Sequence, residues 1–181
     1  MSRTLEALQS DIISEAKKGY PILLSGSIVF LIFTFLPMVL PMKSVYLVWI
    51  FGLAAIFPMG LLLSKLLKVN ILHSGNPLNN LGGMVAGSQA FYIPVFIIVY
   101  THIPEYLPFT IGLLGGSHFL PYMWIYKSKA YLVVTLGACI SSFFLGGWFV
   151  EQAFIFVPIA ISLCYGIGVL LIFKELKAAS V

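Results

Sequence analysis

"QAFIFVPIAISLCYGIGVLLIF", residues 152–173, is a run of 22 residues without a charge, bounded by Glu151 and Lys174. A helix needs roughly 20 such residues to cross the hydrocarbon core of a bilayer. Working back along the chain, the same spacing recurs. There are 21 uncharged residues between Lys129 and Glu151, 21 between Glu105 and Lys127, 21 between Lys43 and Lys65, and 24 between Lys18 and Lys43. The longest interval, 36 residues from Lys68 to Glu105, holds one crossing plus the loop "NILHSGNPLNN". The spacing predicts six transmembrane helices, near 19–42, 44–64, 81–101, 106–126, 130–150 and 152–173.

Composition agrees. The chain has 181 residues, 60% hydrophobic and 9% charged, with mean hydropathy +1.04, whereas soluble domains are about a quarter charged. The apolar blocks are about twice the length of a barrel strand and lack its alternation, which excludes a membrane β-barrel. A cleaved signal peptide is not expected. Eighteen mostly polar residues precede the first block, which is too long for a signal core.

The basic residues set an expected orientation. With the N-terminus inside, Arg3, Lys17, Lys18, Lys65, Lys68, Lys127, Lys129, Lys174 and Lys177 share the cytoplasmic side, and only Lys43 lies outside. That nine-to-one split predicts N-in, C-in topology. Tyr20, Trp124, Tyr126 and Tyr131 fall at the inner interface, and Tyr46, Tyr100, Tyr106 and Trp148 at the outer, as aromatic belts do. The net charge of +4 is thereby explained without a nucleic-acid partner. The expected organisation is an amphipathic interfacial helix over 1–18, a six-helix transmembrane domain over 19–175 and a short cytoplasmic tail over 176–181. Leu5, Leu8, Ile12 and Ala16 form the apolar stripe of the first segment, which is expected on the inner membrane surface. Pro37, Pro58, Pro94, Pro121 and Pro158 fall within spans and are expected to mark kinks. Cys139 and Cys164 share a depth and read as small packing residues without a disulfide.

One histidine breaks the apolar pattern. "GMVAGSQAFYIP" (83–94) and "GLLGGSHFLP" (112–121) share G-x-x-x-G-S-[Q/H] followed by proline. The GxxxG element predicts close helix contact at Gly83/Gly87 and at Gly112/Gly116. Gln89 and His118 each lie eight residues from the inner end of their spans, about 12 Å deep. An unpaired imidazole in hydrocarbon is costly, so His118 is expected to face the bundle interior or a wet cavity, with Gln89 placed to bond it. Ser88, Ser117, Tyr92 and Tyr122 are near enough in sequence to join them.

The remaining chemistry is mostly excluded. His73, His102 and His118 fall on three different levels and are not expected to share a metal. No Asp or Glu lies inside a span, no arginine series exists, and HExxH, GxSxG and P-loop motifs are absent. "SGNPLNN" lacks the second asparagine-proline of an aquaporin-type pair. No enzyme activity and no cofactor are expected.

"GNPLNNLG" and "GSHFLPYMWIYKSKAYL" resemble the pattern of an uncharacterised family of small bacterial integral membrane proteins, a domain of unknown function. The resemblance spans nearly the whole chain. It implies a one-domain, multi-pass protein of the bacterial plasma membrane, and it brings no catalytic residues. Two functional readings stand. In the first, Gln89, His118, Ser88, Ser117, Tyr92 and Tyr122 bind or pass a small neutral or weakly charged solute. In the second, the chain is a non-transporting structural or regulatory protein whose polar residues only hold helices together, while the N-terminal helix and "HSGNPLNN" meet a partner. A homo-oligomer is compatible with either.

Overall fold

In the computed structural model the chain is all-α, with no strand among the described residues, 3–73 and 75–179. Met1, Ser2, Ser180 and Val181, at the ends of the expected first segment and tail, and Ser74 of the loop lie outside them. Five helices are long and apolar enough to cross a membrane: Leu5–Val39, Met42–Leu66, Pro77–His102, Lys129–Gly147 and Val150–Ala178. The segment expected as the fourth crossing, 106–126, is not among them: it is helical but divided into two short pieces. The elements are α1 (Leu5–Ala16), α2 (Tyr20–Val39), α3 (Met42–Gly52), α4 (Ile56–Leu66), α5 (Pro77–Gly87), α6 (Ile93–His102), α7 (Leu107–Ser117), α8 (Leu120–Ile125), α9 (Lys129–Gly147) and α10 (Ala153–Ala178). The last helix therefore takes in residues 176–178 of the expected tail.

Proline explains where the helices divide. The breaks α3/α4, α5/α6 and α7/α8 lie just before Pro58, Pro94 and Pro121. A proline lacks the N–H that would reach back four residues and crowds that carbonyl, so the preceding turn tightens to the 3₁₀ form. Pro37 and Pro158 sit inside α2 and α10, which continue through them.

The centre of the bundle is α10, packed on α2, α9 and α7. Its glycines allow the approach. A Cβ at Gly26 would lie 2.9 Å from the Tyr165 ring, and one at Gly168 would meet Val134 and Leu23. Two serines cross-link the same pair of helices. Ser27 Oγ donates to the Ser162 carbonyl (2.9 Å), and Ser162 Oγ donates to the Ser27 carbonyl (2.8 Å). Ser25 Oγ donates to the Ile56 carbonyl on α4 (2.6 Å). Trp49 is fully buried between Phe30, Phe33 and Phe154. Large apolar side chains cover the outside, among them Phe91, Met84, Trp148 and Phe51, which is the surface a bilayer accepts. Cys139 and Cys164 are free thiols packed beside Gly116 and Gly137 respectively.

The N-terminal helix does not present its whole apolar stripe outward. Ile12 and Ala16 are buried on the bundle, while Leu5 stays 47% exposed. The loop after α4 holds α1 in place. Gly75 takes φ +96°, Asn76 caps α5 through Leu78 N–H (3.0 Å), and Pro77 opens the helix. The amide of Asn76 donates to the Leu8 carbonyl (2.8 Å) and to Asp11 (2.9 Å). His73 lies 3.3 Å from Asp11, and Asn70 donates to Glu15 (3.1 Å). The N-terminal helix and the "GNPLNN" loop therefore meet each other.

Candidate functional site

Both copies of the G-S-[Q/H] motif lie on helix breaks. Ser88 opens the tightened turn between α5 and α6, and its hydroxyl donates to the Val85 carbonyl of its own helix (2.8 Å). Ser117 closes α7, and its hydroxyl donates to the Leu114 carbonyl (2.9 Å). The next turn is pulled tight. Phe119 N–H, whose α-helical acceptor would be the Gly115 carbonyl, bonds Gly116 O instead (3.3 Å). The imidazole of His118 takes that place, with Nδ1 hydrogen-bonded to the Gly115 carbonyl. The ring lies against Phe119, with centroids 4.0 Å apart, and meets the Tyr122 ring edge-on at 6.3 Å.

Four of the six residues named from the sequence come together. Ser88, Tyr92, Ser117 and His118, with Met84, Val85 and Pro121, line an open groove of about 390 Å³ between the α5–α6 and α7–α8 segments. Tyr122 stands beside it and donates to the Gly82 carbonyl (2.6 Å), tying α8 to α5. Gln89 does not line the groove, and among the described residues no hydrogen bond joins it to His118. The expected Gln89–His118 bond is therefore corrected: the ring is held by the Gly115 carbonyl of its own turn, through Nδ1.

The two glycine pairs also part company. A Cβ at Gly112 would collide with Ser142, and one at Gly116 would lie 2.9 Å from Ala138 Cβ and 3.1 Å from Cys139 Sγ, so α7 packs tightly on α9. A Cβ at Gly83 or Gly87 would meet nothing within 4 Å. The expectation of close contact at Gly83/Gly87 is corrected: that face is open.

A second polar centre escaped the sequence reading, which counted Lys18 only as one more interfacial cation. Lys17, Lys18 and Gly19 take φ of 47°, 56° and 69°, a left-handed turn between α1 and α2. Only glycine adopts this region without cost. The turn carries Lys18 inward, where its side chain is 7% exposed and Nζ lies 2.7 Å from Glu175 Oε2. Ser128 Oγ (2.6 Å) and Ala130 N–H (3.2 Å) also donate to Glu175, and Tyr131 O–H donates to the Lys18 carbonyl (2.6 Å). One ion pair thus joins the chain before α2, the α8–α9 connection and the end of α10. The only hint in the sequence is "KKGYP", a glycine placed as a turn residue at the mouth of a span.

A model for a family of unknown function, DUF7010, matches residues 5–175. No curated protein and no solved structure matches the chain.

Proposed function

The chain belongs to DUF7010, and within that family we propose that it is a membrane protein that binds or passes a small, uncharged or weakly charged solute at the groove between its third and fourth crossings. One observation carries this reading. Ser88, Ser117 and His118 each hydrogen-bond a carbonyl of their own turn, and among the described residues none bonds across to another helix. Helix association is served elsewhere, by the Ser27–Ser162 pair, by Ser25 and by Tyr122. Polar side chains that do not hold the bundle together, gathered at two helix breaks in an otherwise apolar span, are suited to a ligand.

A single cysteine at position 117, with Cys139 and Cys164 replaced by alanine, tests the reading. A water-soluble, membrane-impermeant thiol reagent is expected to label Ser117→Cys from one side of a proteoliposome. Failure to label from either side would mean that no aqueous solute reaches the groove, and the reading would fall.

The proposed orientation places the end that carries nine of the ten basic residues in the cytoplasm. In intact cells the same reagent is expected to modify Glu105→Cys and to spare Leu72→Cys, which is on an exposed position of the opposite end. The reverse pattern would invert the protein.

A further inference from the structure

The direction of the hydrogen bonds at the groove restricts what it can hold. The Gly115 carbonyl can only accept, so the hydrogen of the neutral His118 ring is on Nδ1 and Nε2 keeps a bare lone pair. The hydroxyl hydrogens of Ser88 and Ser117 are both committed to carbonyls of their own helices, and each oxygen keeps lone pairs. Among the described residues Tyr92 carries the one hydroxyl hydrogen on these walls that no such bond takes up, and Pro121 has no N–H. Three of the polar groups thus offer acceptors and one offers a donor.

Charge narrows the choice. No Asp or Glu lies between residues 77 and 102 or between 107 and 125, so an ammonium ion would leave water without a counter-charge. An anion would face lone pairs from three of the four groups. We infer that the groove selects an uncharged solute rich in hydrogen-bond donors, a polyol in chemical class, over one that only accepts. Each O–H of such a solute pairs with one of the three acceptors, and one of its oxygens accepts from Tyr92. The inference rests on the groove being a solute site.

Glycerol and trimethylamine N-oxide make the comparison, since both are small and neutral overall and only glycerol donates. In protein labelled with ¹⁵N-histidine and held in nanodiscs, the His118 signals, assigned by their loss in His118→Ala, are expected to report a protonated Nδ1 and a bare Nε2. Glycerol is expected to shift the Nε2 signal saturably and to slow labelling of Ser117→Cys, and trimethylamine N-oxide to do neither. His118→Phe, which keeps a flat ring and deletes the acceptor, is expected to weaken protection by glycerol about tenfold, the value of one hydrogen bond. Equal or tighter saturation by trimethylamine N-oxide, a protonated Nε2, or no response to glycerol while Ser117→Cys still labels would each overturn the donor assignment and leave the solute site standing. Absence of labelling at Ser117→Cys would instead remove the site itself.

Discussion

Glu175→Ala is expected to destabilise the bundle by about 3 kcal/mol, read as a shift in denaturation midpoint in detergent. Removing one partner of a buried ion pair typically costs about 3–5 kcal/mol, because the other charge stays buried without compensation. The stranded group here is Lys18, with its side chain 7% exposed; Glu175 is 26% exposed, which puts the expected loss at the lower end. Ser128 and the Ala130 N–H would lose their acceptor in the same step. Lys18 would keep the long contact from its ammonium to the Lys127 carbonyl (3.5 Å) and the bond from Tyr131 to its own carbonyl. A double variant, Lys18→Met with Glu175→Leu, removes both charges and is expected to recover part of the loss. An unchanged midpoint for Glu175→Ala would show that the pair contributes nothing to the fold.

Gly112→Leu is expected to cost about 3 kcal/mol, near the upper end of what overpacking a close interface does. Already its Cβ would collide with Ser142 and lie 3.0 Å from Ile161, leaving no room for a branched chain. Gly116→Leu should behave alike, since Ala138 and Cys139 stand where its side chain would go. Gly87→Leu carries the same change in the same motif on the neighbouring crossing, where a Cβ meets open space. It is expected to stay within about 0.5 kcal/mol of the parent, as surface substitutions usually do. Comparable losses at Gly87 and Gly116 would mean that a second copy of the chain, or some other partner, covers the face of α5.

Much of this protein is legible along the chain. The six apolar blocks and the breaks before Pro58, Pro94 and Pro121 are local matters, although α2 and α10 run on through Pro37 and Pro158. Transfer of a residue to hydrocarbon is summed along a helix, and a proline acts on its own preceding turn. The candidate site was half legible for the same reason. Its polar residues announced themselves against an apolar background, and Ser88, Tyr92, Ser117 and His118 do gather at one groove.

The choice among their possible partners was not legible. His118 had Gln89 within reach by depth, but its ring bonds a carbonyl three residues back in its own turn. Gly83/Gly87 and Gly112/Gly116 are the same motif, and only the placement of α9 distinguishes them. Lys18 was one cation among several at an interface until the turn before α2 aimed it at Glu175, 157 residues away. Sequence alone determined which segments leave water, because that depends on composition summed over some twenty residues. Tertiary structure alone decided which face of each segment is packed, open or paired, because between helices in lipid the hydrophobic effect favours no face and contact geometry and hydrogen bonding make the choice.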